Sequence, residues 1–471
     1  MKFIPICLVV LLSTLFLIFG LAENISPSMN HMNSKKFRYQ QRFVKMEEHI
    51  PRESFALGER SLGSTVHEIV IAIQQKNLQK LKNEVYARAT PGSPLYQKWL
   101  NFHEVGSMVQ NKEGFESVKE WLDAYNVEIA WSSPYQEYIR AYAPISTWEE
   151  MLSTQFFAFE DKTRMDKQTG KGKIIHRALD YSIPAELKES ISAVFYTVQV
   201  PPRFKPDSVH KILKTPKPKD VPPEILEDLP YKSYLRFKPK HAAAADVQTV
   251  KGPGRKEELL GQVGQDVDVA FLDSYYKVNS NLASRKLNQS VFETSTQYFS
   301  PSDLTEFQQK YDLTVQAAIS YGGHSTSTCT SNTCGEGNLD IQYIMGMAQR
   351  TASIFWYVPS TGDPFITWIT DVVADPYPPQ ANSMSWGEIE TLMSSATVNT
   401  WENEAMKLAS RGVTITVSSG DDGAANVYGS QDTCLCKGQV HNLLLLCVSS
   451  INLLFLCFFT LEIRWGYFYW I

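Results

Sequence analysis

Two carboxyl groups four residues apart, Glu336 and Asp340, are the densest chemical signal in the chain, within Cys334-Gly335-Glu336-Gly337-Asn338-Leu339-Asp340-Ile341-Gln342-Tyr343. On a helix that spacing stacks both acids on one face, while Ile341, Ile344, Met345 and Ala348 form a separate apolar stripe that buries the helix. Two close carboxyls resist double ionisation, so one keeps a proton and the pair can pass protons under mildly acidic conditions. The same spacing is found on solvated helices that do no chemistry, and the pair alone does not separate the two cases. A further acid, Asp421, lies in Val417-Ser418-Ser419-Gly420-Asp421-Asp422-Gly423, where a β-rich run ends in a glycine-rich turn. An α/β sheet presents its ligand-binding groups at such places, although an aspartate there also serves as a plain turn residue.

These acids need a sheet to hold them, and the surrounding pattern supplies one. Ser300, Pro301 and Asp303 start a helix with a capping hydroxyl, a proline at the first helical position and an acid in the first turn. Strands at 313–319, 352–358, 383–386 and 413–417 then alternate with helices at 336–348, 365–373 and 398–410, the last stopped by Gly412. Strands separated by helices predict a parallel sheet covered on both faces, an α/β domain with its site at the carboxyl ends of the strands.

The N-terminal half has a different rhythm. A β-rich run at 66–73 is followed by a helix marked by Leu78, Leu81 and Val85, and a second helix carries Phe115, Val118, Leu122 and Tyr125. Strands at 127–131, 138–142 and 156–159 and a short helix at 147–152 complete a compact α+β domain of the split β-α-β, ferredoxin-like kind over 61–200. Prolines separated by lysines fill 201–255, a linker whose Lys240, Lys251 and Arg255-Lys256 are exposed to proteolytic processing.

At 471 residues the chain has room for two or three domains, and 43% hydrophobic residues, 20% charged residues and a net charge of -5 fit globular protein and not a nucleic-acid binder. Lys2, the apolar run Phe3 to Phe19 and Gly20-Leu21-Ala22 read as a secretory signal peptide over 1–22; a first membrane helix is the weaker reading because the run is short. The other six of the seven cysteines lie beyond position 328, and Cys329 and Cys334 could pair across a short loop in an oxidising compartment. Asn24 and Asn288 sit in N-x-S glycosylation sequons. No histidine spacing suggests zinc, and His324 in Gly322-Gly323-His324-Ser325 reads as a loop residue.

Glu336-x-x-Leu339-Asp340-x-Gln342-Tyr343, Ser385-Trp386-Gly387 and Ser419-Gly420-Asp421, in this order and spacing, resemble the sedolisin family of serine-carboxyl peptidases, nearest its tripeptidyl peptidase branch. Tyr96, Trp99, Leu100 and Glu104, and Tyr181, Ile183, Pro184 and Leu187, resemble segments of that family's prodomain. The resemblance implies a subtilisin-like catalytic domain beginning at 256–439, with Glu336 as general base toward a serine, Asp340 orienting Glu336, and Asp421 as the oxyanion-hole acid. Ser385, Trp386 and Gly387 would form the edge to which a peptide substrate adds as a strand. A carboxylate base suits acidic surroundings, where histidine is protonated and cannot accept. The implied setting is the secretory pathway, lysosomal or extracellular, with the prodomain as intramolecular inhibitor.

The family's nucleophile stands in a G-T-S turn well beyond the oxyanion aspartate, and no such turn occurs in this sequence. The resemblance therefore implies an incomplete site without the serine. The family's calcium site lies later still, so no cofactor is expected here. After Lys437-Gly438-Gln439 a tail at 440–471 follows, uncharged over 443–461, which reads either as a membrane anchor or as intron read-through. A second function class is open, a noncatalytic secreted protein whose prodomain inhibits a complete relative.

Overall fold

In the computed structural model the described residues are 36–165, 169–201, 267–359, 362–387 and 393–418, with two short strand pieces at 427–428 and 433–434. The expected signal peptide, nearly all of the linker, the tail, Asn24 and Asp421 lie outside them. The chain forms two units: residues 79–105 group with the segment after 200, and the rest of the first 200 residues form the other. Among the described residues no helix is long and apolar enough to cross a membrane.

The first unit is built on alternation. In β3 (Val66–Ile73) every second residue, Ile69, Ile71 and Ile73, points to one face, and all three are buried. Beside β3 lie β5 (Tyr138–Pro144) and β9 (Ile191–Phe195), with β4 (Glu128–Ser132) outside β5, giving an antiparallel sheet of order β4-β5-β3-β9. Helix α3 (Lys112–Ala124) starts where the Asn111 side chain accepts the Gly114 N–H at 3.1 Å, and it buries Phe115, Val118, Trp121 and Leu122. It shares one core with Trp148 of α4 (Ile145–Leu152) and the three isoleucines. A second sheet, β2 (Phe55–Arg60), β6 (Phe156–Met165) and β7 (Gly172–Ala178), and the pair β1 (Phe43–Glu48) and β8 (Asp180–Pro184) complete the unit. The strands β1, β2, β7, β8 and β9 were not among those expected from periodicity.

The second unit carries the parallel sheet. Its strands are β10 (Asn288–Glu293), β11 (Ile319–Tyr321), β12 (Ala352–Tyr357), β13 (Ala381–Met384) and β14 (Thr414–Val417), in the order β11-β12-β10-β13-β14 with every pairing parallel. Adjacent residues of the central strand feed opposite faces. Val291 packs with Ile341 and Met345 of α7 (Ser331–Met347) and Leu304 of α6 (Pro301–Lys310). Phe292 packs with Phe365, Trp368 and Val372 of α8 (Pro364–Ala374) and Trp401 of α9 (Ser395–Ser410). Helix α5 (Val269–Tyr276) precedes the sheet. Also in this unit are α1 (Leu78–Ala89), the beginning of α2 (Phe102–Val109) and the segment between them, where the Leu100 N–H donates to Ser410 O at 2.9 Å.

Three expectations need correction. The strand expected at 313–319 is almost entirely replaced by an extended segment whose backbone is claimed by side chains. Gln308 accepts the Gln316 N–H and donates to its carbonyl, both at 3.0 Å, so one glutamine takes the place of a neighbouring strand. Helix α7 begins at Ser331 rather than Glu336, since Thr330 and Thr333 cap each other and Cys329–Cys334, a disulfide with Cα atoms 5.4 Å apart, ties the loop to its first turn. Strand β13 runs two residues earlier than expected, which leaves Ser385 and Trp386 just past its carboxyl end.

Candidate active site

The central strand decides the site. β10 leads to β11 on one side of the sheet, and after β12 the chain crosses to β13 on the other, so the strand order changes direction at β10. Its last residue, Glu293, is fully buried at this point. Helix α7 brings Glu336 and Asp340 to the same place. The Glu336 N–H donates to Gln297 Oε1 at 3.1 Å, and Gly337 lets the helix approach the loop, since a Cβ there would stand 2.2 Å from Tyr298 O. Glu336 is 5% exposed.

Asp340 is hydrogen bonded to Ser385 and to Glu293, and the Trp386 indole N–H donates to Glu293 Oε2 at 3.0 Å. Two oxygens at this junction, Glu293 Oε1 and Asp340 Oδ2, are shut off from water with no N–H or O–H donor reaching them. One proton held between the two carboxyls satisfies both. Burial, then the negative charges of Asp340 and Glu336, push Glu293 well above the usual carboxylate range. Burial likewise raises Asp340 to about 6, against the opposing hydrogen bonds from Ser385 and Glu293. The proton therefore belongs to Glu293, which donates it to an ionised Asp340 at neutral pH.

The structure thus brings together Glu336, Asp340, Ser385 and Trp386, and adds Glu293, which the sequence reading missed. Ser385 and Trp386 turn their side chains inward to the carboxyls, while Gly387 is exposed. Glu293 could have been found as an acid ending the apolar pair Val291-Phe292, but that strand was itself unread. Asn288 stands at the opposite, amino end of β10, and its sequon Ser290 is buried, donating to Asn382 Oδ1 at 2.7 Å. His324 lies in the loop after β11, its ring stacked on Tyr298 with centroids 5.0 Å apart. Among the described residues no group of His, Cys, Asp and Glu side chains is placed to hold a metal ion.

Chemically, this is a buried pair of carboxyls, Glu293 and Asp340, that can store one proton, with Glu336 near enough for its charge to act on Glu293. The family described as Pro-kumamolisin, activation domain, matches residues 56–200. The tripeptidyl-peptidase 1 of Dictyostelium discoideum is 28% identical over 380 residues, covering 78% of this chain and 58% of that protein. The tripeptidyl-peptidase 1 of Canis lupus familiaris is 24% identical over 373 residues, covering 76% and 56%. The chain thus spans just over half the length of these relatives. A solved Pseudomonas sedolisin (serine-carboxyl proteinase), complexed with two molecules of pseudo-iodotyrostatin, is similar at 18% identity with a TM-score of 0.29, over 37% of this chain and 49% of that one, and adds no weight. The chain is thus similar to an activation domain of the Pro-kumamolisin kind over residues 56–200 and to tripeptidyl-peptidase 1 proteins over about three quarters of its length.

Proposed function

We propose that this chain carries the prodomain and the acidic half of the active site of a peptidase that removes short peptides or cuts internally under acidic conditions. The observation that carries the reading is the enclosed Glu293–Asp340 pair beside Glu336 at the carboxyl ends of β10 and β13. Glu336 acts as general base toward a serine hydroxyl, Asp340 orients Glu336, and Glu293 holds the proton that keeps Asp340 hydrogen bonded. Asp421 is the acid that donates to the developing oxyanion, and the backbone of Ser385–Gly387 receives the substrate as an added strand. The serine comes from a G-T-S segment, which does not occur in these 471 residues. No metal or cofactor is needed in this half.

The strand order β4-β5-β3-β9 supports a ferredoxin-like prodomain, and the five parallel strands with helices on both faces support a subtilisin-like catalytic half. The prodomain acts as the intramolecular inhibitor, in a lysosomal or extracellular setting, with Asn24 as a glycan acceptor; Asn288, in the central strand with its sequon Ser290 buried, is not one. The test is made on a longer product of the same gene that includes the G-T-S segment. At acid pH it should release tripeptides from peptides with free amino termini, or internal fragments, and Glu336→Gln should abolish both. A processed product that cleaves nothing, or a Glu336→Gln variant with full activity, would remove this reading.

A further inference from the structure

The first two turns of α7 carry Glu336 but few apolar side chains. From Ser331 to Asn338 the sequence runs Ser, Asn, Thr, Cys, Gly, Glu, Gly, Asn, and the apolar anchors Ile341, Ile344 and Met345 come only afterwards. Burial of those anchors is non-directional and sets the rotation of the helix about its own axis only loosely. Hydrogen bonds set it closely, because they weaken steeply away from their preferred line.

The loop that leaves β10 supplies such bonds. The Tyr298 N–H donates to Thr333 O at 2.7 Å, and Gln297 Oε1 accepts the Glu336 N–H at 3.1 Å. Tyr298 O lies so close to Gly337 that a Cβ there would stand 2.2 Å away. The Asn338 side chain is then gripped at both ends: its Oδ1 accepts the Ser300 N–H at 2.8 Å, and its Nδ2 donates to Asp303 Oδ2 at 2.9 Å. Two residues from Glu336 and two from Asp340, Asn338 lies about 160° round the helix from each, so the grip is on the side opposite the acids.

Helix α6 does not need that grip for its own start. Ser300 caps it, with Oγ accepting the Asp303 N–H at 3.1 Å and donating to Asp303 Oδ1 at 2.8 Å. One oxygen of Asp303 thus serves its own helix and the other serves α7. Ser300 is buried, and its N–H depends on Asn338 Oδ1 for a partner.

We propose that Asn338 is a positioning residue, which Ser300 and Asp303 hold so that α7 presents Glu336 and Asp340 to the reacting serine at one fixed angle.

The role rests on the peptidase reading above, in which Glu336 is the base. Asn338 acts through aim alone. Its loss leaves substrate binding intact and lets Glu336 turn off the line to the serine hydroxyl, and a misplacement of about 1 Å costs on the order of 100-fold in rate. The same turn draws Asp340 away from Glu293 and Ser385, the groups it is hydrogen bonded to, and into a wetter setting.

The experiment has two readouts. In the full 471-residue chain, with Asp and Glu carboxyl carbons labelled for NMR, Asp340 should titrate at about 6 in the wild type and return toward the ordinary 3.8 in Asn338→Ala. In the longer product of the gene that includes the G-T-S segment, Asn338→Ala should lower kcat roughly 10- to 100-fold at acid pH and leave KM unchanged. Asn338→Asp keeps the acceptor for Ser300 but sets a second carboxylate against Asp303, and Asp303→Asn sets two amide N–H groups face to face, so each should resemble Asn338→Ala. Combining the two exchanges donor and acceptor between α6 and α7 and should restore both readouts. An Asn338→Ala variant that is less stable but keeps the Asp340 titration and kcat would reduce the contact to a structural one and overturn the proposal, as would a combined variant that recovers neither readout. A longer product that cleaves nothing, or keeps full activity in Glu336→Gln, removes the peptidase reading instead, and the Asp340 titration of the 471-residue chain still decides whether Asn338 sets the helix. If Asn338→Ala does not fold, Asn338→Asp, Asp303→Asn and their combination decide in the same way.

Discussion

Trp386 and Glu293, 93 residues apart in the chain, meet through an indole N–H donated to the carboxyl at 3.0 Å. The contact ties the end of β13 to the end of β10 across the point where the sheet changes direction. It also fixes which oxygen of Glu293 is left to share a proton with Asp340.

Replacing Glu293 with glutamine should keep a donor toward Asp340 and an acceptor for Trp386, and so change stability at acid pH by less than about 1 kcal/mol. Both native carboxyls titrate above their unfolded values of 4.5 and 3.8. Their contribution is therefore complete below those values and is lost as pH rises, toward about 6 for Asp340. The slope is roughly 1.4 kcal/mol per pH unit for each group. Urea denaturation of the second unit between acid and neutral pH should show a clearly smaller slope in Glu293→Gln, and an identical slope would contradict the proton assignment.

Trp386→Phe keeps a buried ring and removes the donor. Leaving a buried carboxyl oxygen unpaired costs about 1–3 kcal/mol, so the denaturation midpoint should fall accordingly at acid and at neutral pH, since Glu293 keeps its proton in both. A variant as stable as the wild type at neutral pH would show that another group replaces the indole.

The Cys329–Cys334 disulfide closes a loop with a sequence separation of 5, for which chain entropy predicts about 2 kcal/mol. Replacing both cysteines with serine should lower stability by about that amount and speed amide exchange at the start of α7, including Glu336. Unchanged exchange there would mean that the Thr330–Thr333 cap alone holds the helix end.

Glu404 and Lys407 form a salt bridge of 2.6 Å on α9 with side chains 0% and 1% exposed. Lys407→Met removes the counter-ion of a buried carboxylate and should cost about 3–5 kcal/mol, while adding Glu404→Leu should recover most of that loss. Equilibrium unfolding of the two variants measures both, and a single variant no less stable than the double would disprove the pairing.

Local pattern carried much of the reading. The helices α8 and α9 and the strands β3, β5, β12 and β14 follow from apolar period, caps and a stopping glycine, and these signals act within one turn or one strand. Glu336 and Asp340 share a helix face for the same reason. The strand β10 was illegible because its polar residues are buried and satisfied by distant partners: Gln289 donates to Ser353 Oγ at 2.9 Å and to Ile344 O at 3.1 Å. A half-polar run reads as surface until those partners are in place.

What the amino-acid sequence determined by itself was the ordered set of acids and the alternation of elements that had to carry them, because helix periodicity and capping are properties of neighbouring residues. Only the tertiary structure made Glu293 part of the site and set the proton on it. Desolvation and the nearness of Asp340 and Glu336 raise its affinity for that proton, and both arise only when the central strand is covered from two sides.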